Sequence, residues 1–209
     1  MNTLKFRQLD SQSYLENEQL RDIAGLIYDT DPYIYPAMFN SRSESTRIIP
    51  EMIQMGDSMF KVDNMLVAEE NQHVVGLVLW NMGPLYSDRR IYDHCLKKLG
   101  IDTSHYIDAV QNEYFLSYKD VPSDTISIIN VCVDEYHRNK GIGRALLEHL
   151  IKSTEDKCEN YELFVLKENP AAVRLYLSLG FCIQKEIHGF SIDKNRPPCY
   201  IMTRPALIK

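Results

Sequence analysis

No stretch of this sequence approaches the ~20 consecutive apolar residues that a membrane-spanning helix requires. The N-terminus, MNTLKFRQLD, lacks the apolar core of a signal peptide. A basic surplus is missing as well: 23 Lys and Arg stand against 29 Asp and Glu, a formal net charge of -6. Such a charge balance, with no basic stripe, does not seek polyanions, so neither nucleic acid nor membrane is expected as a partner. Cysteine is sparse and poorly spaced for a framework. Cys95, Cys132, Cys158, Cys182 and Cys199 form no C-x-x-C pair and their number is odd. That argues against disulfides and a zinc site, so no metal is expected, and it fits a reducing cytoplasm. Cys132, inside an apolar run, reads as a small core group rather than a nucleophile. What remains is an ordinary globular composition, 44% hydrophobic and 25% charged. The length suits one well-buried core, and a single domain over 1–209 is expected.

The most informative stretch runs from Ile126 to Ile151, ISIINVCVDEYHRNKGIGRALLEHLI. Ile126 to Val133 is a β-branched run that reads as a strand. Gly143, Leu146, Leu147, Leu150 and Ile151 then recur at helical spacing and form one apolar face. Arg144, Glu148 and Lys152 occupy the opposite face at four-residue steps. Between strand and helix lies Arg138-Asn139-Lys140-Gly141-Ile142-Gly143. A helix N-terminus offers unpaired N–H groups and the positive end of the macrodipole, and glycine lets an oxygen approach the backbone closely. Arg138, Lys140 and Arg144 add local positive charge in an otherwise acidic chain. The turn therefore reads either as a phosphate-sized anion site or as a tight strand-to-helix connection whose glycines serve geometry alone.

Two familiar phosphate loops are excluded. A dinucleotide fingerprint needs Gly or Ala three residues after Gly143, where Leu146 stands, and no Gly-Lys-Ser/Thr triplet marks a P-loop. The stretch instead resembles the acetyl-CoA-binding motif of the GCN5-related N-acetyltransferase (GNAT) superfamily. Arg138, Gly141 and Gly143 fill its defining positions, and Val131-Cys132-Val133 resembles that family's bulged fourth strand.

Elsewhere the order of elements is readable. Leu4 and Phe6 alternate with charge as a first strand; Leu20, Ile23, Ala24 and Ile27 make a helical stripe ending before Pro32. The aromatic and acidic segment Asp29–Phe39 reads as irregular, either a packed lid or a surface for a cationic amine. A helix follows from about Ser43 to Met55, then a hairpin of Met65–Glu69 and His73–Trp80, with Gly76 marking a bulge. Residues 82–125 form an inserted segment with two predicted helices, Ile91–Leu99 and His105–Tyr118. It reads equally as a substrate-shaping insertion, a homodimer surface or plain packing.

Downstream, Glu162–Leu166 is an apolar strand, and Asn169, Pro170 and Gly180 cap, open and stop a helix with Ala172, Leu175, Tyr176 and Leu179 inward. Phe181–Ile187 and Cys199–Thr203 are the last two predicted strands. Asn169, Ala172, Leu175-Tyr176 and Gly180-Phe181 match the second motif of the GNAT superfamily, and the two motifs together identify the chain as resembling a member.

That resemblance implies an α/β (α+β) fold: a mixed, mostly antiparallel twisted sheet of six to seven strands, splayed between strands 4 and 5, with helices on both faces. It implies acetyl-CoA as co-substrate and direct attack by a primary amine of a small molecule or peptide. The cofactor's pyrophosphate would rest on Arg138, Asn139, Lys140, Gly141, Ile142, Gly143 and Arg144, and its pantetheine arm along Val131, Cys132, Val133 and Asn169. Tyr176 matches the family's general acid. A phenol with a pKa near 10 stays protonated at neutral pH and can protonate a departing thiolate. The family's basic Glu falls on Ser127, which cannot act as a base. Asp134, Glu135, His137, or a water relay through Ser127 and Asn130, remain open. The alternative reading is a CoA-binding sensor or regulatory protein with little turnover.

Overall fold

The computed structural model describes residues 4–56, 58–85, 89–101, 118–188 and 197–206. Among them are β1 (Lys5–Gln8), α1 (Asn17–Tyr28), α2 (Ile34–Phe39), α3 (Arg42–Gln54), β2 (Met65–Glu70), β3 (His73–Met82) and α4 (Arg89–Leu99). They continue with β4 (Thr125–Val133), α5 (Ile142–Thr154), β5 (Asn160–Leu166), α6 (Pro170–Ser178), β6 (Cys182–Ile187) and β7 (Cys199–Pro205). No helix among the described residues is long and apolar enough to cross a membrane.

The strands form one sheet in the order β1-β2-β3-β4-β5-β7-β6. All neighbours are antiparallel except β4 and β5, whose parallel pairing requires a crossover, supplied by α5. The last two expected strands are both present, and β7 slots between β5 and β6, which leaves β6 at the edge of the sheet. The β2–β3 hairpin turns on Asn71 and Gln72, both with positive φ (52° and 70°), the conformation that matches the twist of a two-residue hairpin.

Apolar alternation sends side chains to two cores. Ile23, Ile27, Ile48, Ile49 and Phe39 from α1–α3 pack on the face that carries Leu77, Leu79 and Cys132. Leu146, Leu147 and Leu150 of α5 pack on the other, against Val78, Ile126, Ile128 and Leu163. Helices thus cover both faces. The expected bulge at Gly76 is present: Ala68 pairs with Gly76 and Glu69 with Val74, leaving Val75 extra. A Cβ at Gly76 would lie 3.2 Å from Ile142 and Leu146 side-chain carbons, so the glycine also lets α5 settle onto β3.

A second bulge decides the site. Leu79 pairs with Asn130 but Trp80 with Ile128, so Ile129 is an extra residue in β4. Strand parity shifts by one there. Ile128 faces α5, while Ile129 and Asn130 both serve the α1–α3 face. Asn130 then meets Tyr35 of α2: its amide donates to the Tyr35 hydroxyl at 2.8 Å, and that hydroxyl lies 3.1 Å from Asn130 Oδ1. Both residues are about 1% exposed. Tyr35→Phe leaves a buried amide short of a partner and is expected to cost about 1–3 kcal/mol in urea denaturation.

Asp29–Phe39, expected to be irregular, contains the short helix α2. Asp31 Oδ1 accepts from the Tyr33 and Ile34 amides (2.8 and 2.9 Å), and Pro36 falls in the first turn, where no N–H is needed. The predicted helix at 43–55 begins slightly earlier, capped by Ser41, and runs through Pro50. Of the 82–125 insertion, α4 matches the expected Ile91–Leu99, whereas most of the predicted His105–Tyr118 helix lies outside the described residues. The insertion leaves and returns through a stem, Gly83 N–H to Thr125 O (2.9 Å) and Leu85 N–H to Tyr118 O (3.3 Å). Tyr92 and Lys98 of α4 hydrogen-bond Met38 O and Glu51, so this helix belongs to the core on the α1–α3 face.

Candidate active site

β4 and β5 pair only from Thr125–Asn160 to Ile128–Leu163. Beyond that row each strand keeps its other neighbour, β4 following β3 to Val133 and β5 following β7 to Leu166. The sheet therefore forks. In the fork lies a cavity of about 90 Å³, walled by Ile129 and Val131 of β4, Phe164 of β5, and Asn169 and Tyr176 at the start and middle of α6. Thr30, Asp31 and Tyr35 close it from the α1–α2 side, and Tyr118 from the insertion, edge-on to Phe164 at 5.0 Å between ring centroids.

Backbone direction along β4 follows from one hydrogen bond. The Asp134 N–H donates to Val75 O on β3 (2.9 Å), so strand alternation turns the N–H and C=O groups of Val133 and Val131 toward the fork. The Val133 carbonyl is taken there by Arg138 Nε (3.0 Å). Cys132 points the other way, into the α1–α3 core, and burial pushes its thiol up to about 11. It is no nucleophile.

At the upper end of the fork, α5 begins without a side-chain cap. Its N-cap is Gly141 at φ 81°, and Asn139 also has positive φ (63°). Gly143 is differently constrained. A Cβ there would sit 3.7 Å from Val133 and Leu175 side-chain carbons, an ordinary contact, so the protein's own packing does not demand glycine. Lys140 is exposed, with no described partner. Arg144, grouped with the turn by sequence, reaches away from it to Ser178 Oγ on α6 and to Glu148 (3.4 Å).

Asn169 caps α6 as expected, its Oδ1 accepting from Ala172 N–H (3.1 Å). Asn169 also lines the cavity, and its amide N–H groups have no described partner. Tyr176 is 7% exposed, stacks edge-on with Phe181 (5.9 Å), and burial raises its phenol well above the ordinary tyrosine value. The expected base candidates at the turn are engaged in structure: His137 Nδ1 meets Asp134 Oδ1 at 2.7 Å and its Nε2 meets Glu70 at 3.3 Å. Glu135 is exposed. Asn130 is committed to Tyr35, but Ser127 Oγ is buried with no hydrogen-bond partner. Two acids of the Asp29–Phe39 segment are likewise occupied, Asp29 by Arg42 (3.1 Å) and Asp31 by the α2 amides. Tyr33 spans the fork's mouth to Glu168 (2.8 Å).

One residue escaped the sequence reading. Periodicity makes Glu162 the first residue of an apolar strand, and alternation in Tyr161-Glu-Leu-Phe-Val165 places it with Phe164, opposite Leu163 and Val165. A lone carboxylate in that run was the available signal.

A forked mixed sheet with an uncapped helix N-terminus at the fork defines an acetyltransferase-type fold. The sequence matches the Acetyltransferase (GNAT) family over residues 34–181, more than half of the chain, and the protein belongs to that family. It is similar to the [ribosomal protein bS18]-alanine N-acetyltransferase of Escherichia coli (strain K12), 44% identical over 59 residues, 28% of this chain and 40% of that one. It is also similar to Histone acetyltransferase MCC1 of Arabidopsis thaliana, 31% identical over 104 residues, 47% and 42% of the two chains. The chain thus spans less than half the length of either relative. A solved acetyltransferase structure superposes with a TM-score of 0.68 at 18% identity, covering 97% of this chain and 99% of its own.

Proposed function

We propose that this protein is an N-acetyltransferase that moves the acetyl group of acetyl-CoA to a primary amine, in the form of a peptide or protein amine. The observation that carries the reading is the fork: an unpaired β4 edge leading from the uncapped N-terminus of α5 to a buried tyrosine. The residues present fit the co-substrate. The α5 N-terminal amides with Arg138 and Lys140 would hold a diphosphate, the fork-facing groups of Val131 and the Val133 N–H would pair with an amide-bearing arm as an added strand does, and the Asn169 amide would donate to it. Acetyl-CoA supplies an acetyl thioester open to attack by an amine. The relatives' names, an alanine N-acetyltransferase and a histone acetyltransferase, support a peptide or protein acceptor.

Within that reading the chain contributes a proton donor and an enclosure. Tyr176, kept neutral by burial, gives its proton to the departing thiolate. Thr30, Asp31, Tyr35 and Tyr118 shape the acceptor side, which gives the 82–125 insertion a substrate-shaping role within one acetyltransferase domain over 1–209. Burial pushes the Cys132 thiol up to about 11, which disfavours a thiolate there and supports direct transfer. Incubation with acetyl-CoA alone is expected to leave Cys132 unacetylated by intact-protein and peptide mass spectrometry. The function is tested by CoA release across a panel of peptide N-termini, lysine peptides, polyamines and aminoglycosides. Turnover on the peptides is expected; saturable acetyl-CoA binding without turnover on any amine would assign the sensor role instead.

A further inference from the structure

We propose that Glu162 of β5 is the group that receives the acceptor's proton, through the hydroxyl of Ser127 and an ordered water beside it. The inference rests on the acetyltransferase reading above and deepens it. Register places Ser127 of β4 directly beside Glu162, in the row just inside the point where the strands part. Asn81 of β3 pairs with Ser127 and Thr203 of β7 with Glu162, so one polar row crosses four strands of an otherwise apolar sheet. Adjacent rows at the same level carry Ile126, Ile128, Tyr161 and Leu163 toward the other core.

Two members of this row lack partners. Ser127 is 0% exposed and its Oγ has no hydrogen-bond partner. No hydrogen bond or ion pair is described for the half-buried Glu162 carboxylate. A fully buried hydroxyl such as that of Ser127 is rarely left so, and an ordered water is a common explanation. Asn81 cannot supply the missing bond with its amide, which already donates to Met82, Gly83 and Pro84 carbonyls.

The placement suits the chemistry. Glu162 shares its face with Phe164, which lines the cavity, and the two lie about 7 Å apart along the strand. A carboxylate side chain and one water would bridge that span to the cavity, which Phe164 lines and Glu162 does not. A base must be ionised yet basic enough to hold a proton. Burial raises the Glu162 carboxyl above the ordinary glutamate range, with no charged group contributing. Its row neighbours Ser127 and Thr203 do not titrate. Farther out on β6 stand the exposed Cys182, paired with Thr203, and Lys185, paired with Ile201 in the next row.

Protons balance as follows. The acceptor ammonium gives one proton to Glu162, which later passes it to solvent. The freed nitrogen lone pair forms the new N–C bond as the C–S bond breaks. Tyr176 protonates the leaving sulfur and recovers a proton from the acylated nitrogen.

Glu162→Gln keeps shape and removes the base. Its kcat/KM at neutral pH is expected to fall by about 10²-fold or more, with acetyl-CoA affinity unchanged. The acid limb of the pH profile, set in the wild type by Glu162, should disappear and be replaced by one following the acceptor amine. The variant should melt no lower than the wild type. A raised carboxyl pKa means that the folded state prefers the protonated form, so ionised Glu162 costs stability above the unfolded value, and glutamine removes that cost. Glu162→Asp should recover part of the rate. A glutamine variant with the wild-type rate and pH profile would overturn the role and leave the acetyltransferase reading standing. So would an ordinary glutamate titration for Glu162, followed by carbon-13 NMR against the variant. A wild type that binds acetyl-CoA but acetylates no amine would overturn both.

Discussion

Tyr176→Phe is expected to lower kcat by about 10²–10⁴-fold while acetyl-CoA affinity stays at the wild-type level. The ring carries the packing: it lies edge-on to Phe181 and among the α5–α6 core, contacts that phenylalanine keeps. What disappears is the proton donor. Because burial raises the phenol above its ordinary value near 10, the wild type should show no loss of activity from Tyr176 ionisation at or below that pH. Steady-state kinetics of both forms, with acetyl-CoA binding by calorimetry, check the split. Unchanged turnover at unchanged affinity would remove Tyr176 from the mechanism and leave it a core residue.

Gly143→Asp should move folding and binding in opposite directions. A carboxylate in the first turn of α5 complements the helix dipole, so thermal stability should hold or rise by about 0.3–1 kcal/mol. The same charge would confront a diphosphate at that N-terminus. At a separation of about 4 Å and an effective dielectric near 20, one like-charge pair costs roughly 4 kcal/mol, or about 10³-fold in affinity. An acetyl-CoA affinity at least ~10²-fold weaker is therefore expected, recovering in part at high salt as screening sets in. Gly143→Asn, similar in size and neutral, should lose much less. Wild-type affinity in the aspartate variant would move the diphosphate away from this turn.

Much of this site is legible along the chain. The left-handed Gly141, the Asn169 cap, and the amphipathic faces of α5 and α6 are consequences of residues within one or two turns of each other. Steric freedom, capping and helical periodicity act over that distance, so the turn, both helices and Tyr176 could be placed from sequence. Arg144 marks the edge of such reasoning. Its charge belongs to the turn by number, yet its guanidinium is drawn to Ser178, thirty-four residues away.

Pairing between strands decided the rest. A single extra residue, Ile129, shifts the parity of β4, sends Asn130 to Tyr35, and lies where the strands begin to part. Insertion of β7 beside β5 holds the far side of the fork open. Only that register sets the half-buried Glu162 next to Ser127, whose buried hydroxyl has no hydrogen-bond partner. Sequence by itself determined the family motifs, the helices other than α2 and the glycine turn that opens α5, because local sterics and periodicity dictate them. The fork, the polar row across four strands and the side chains closing the cavity came from tertiary structure, because hydrogen-bond register depends on every strand at once.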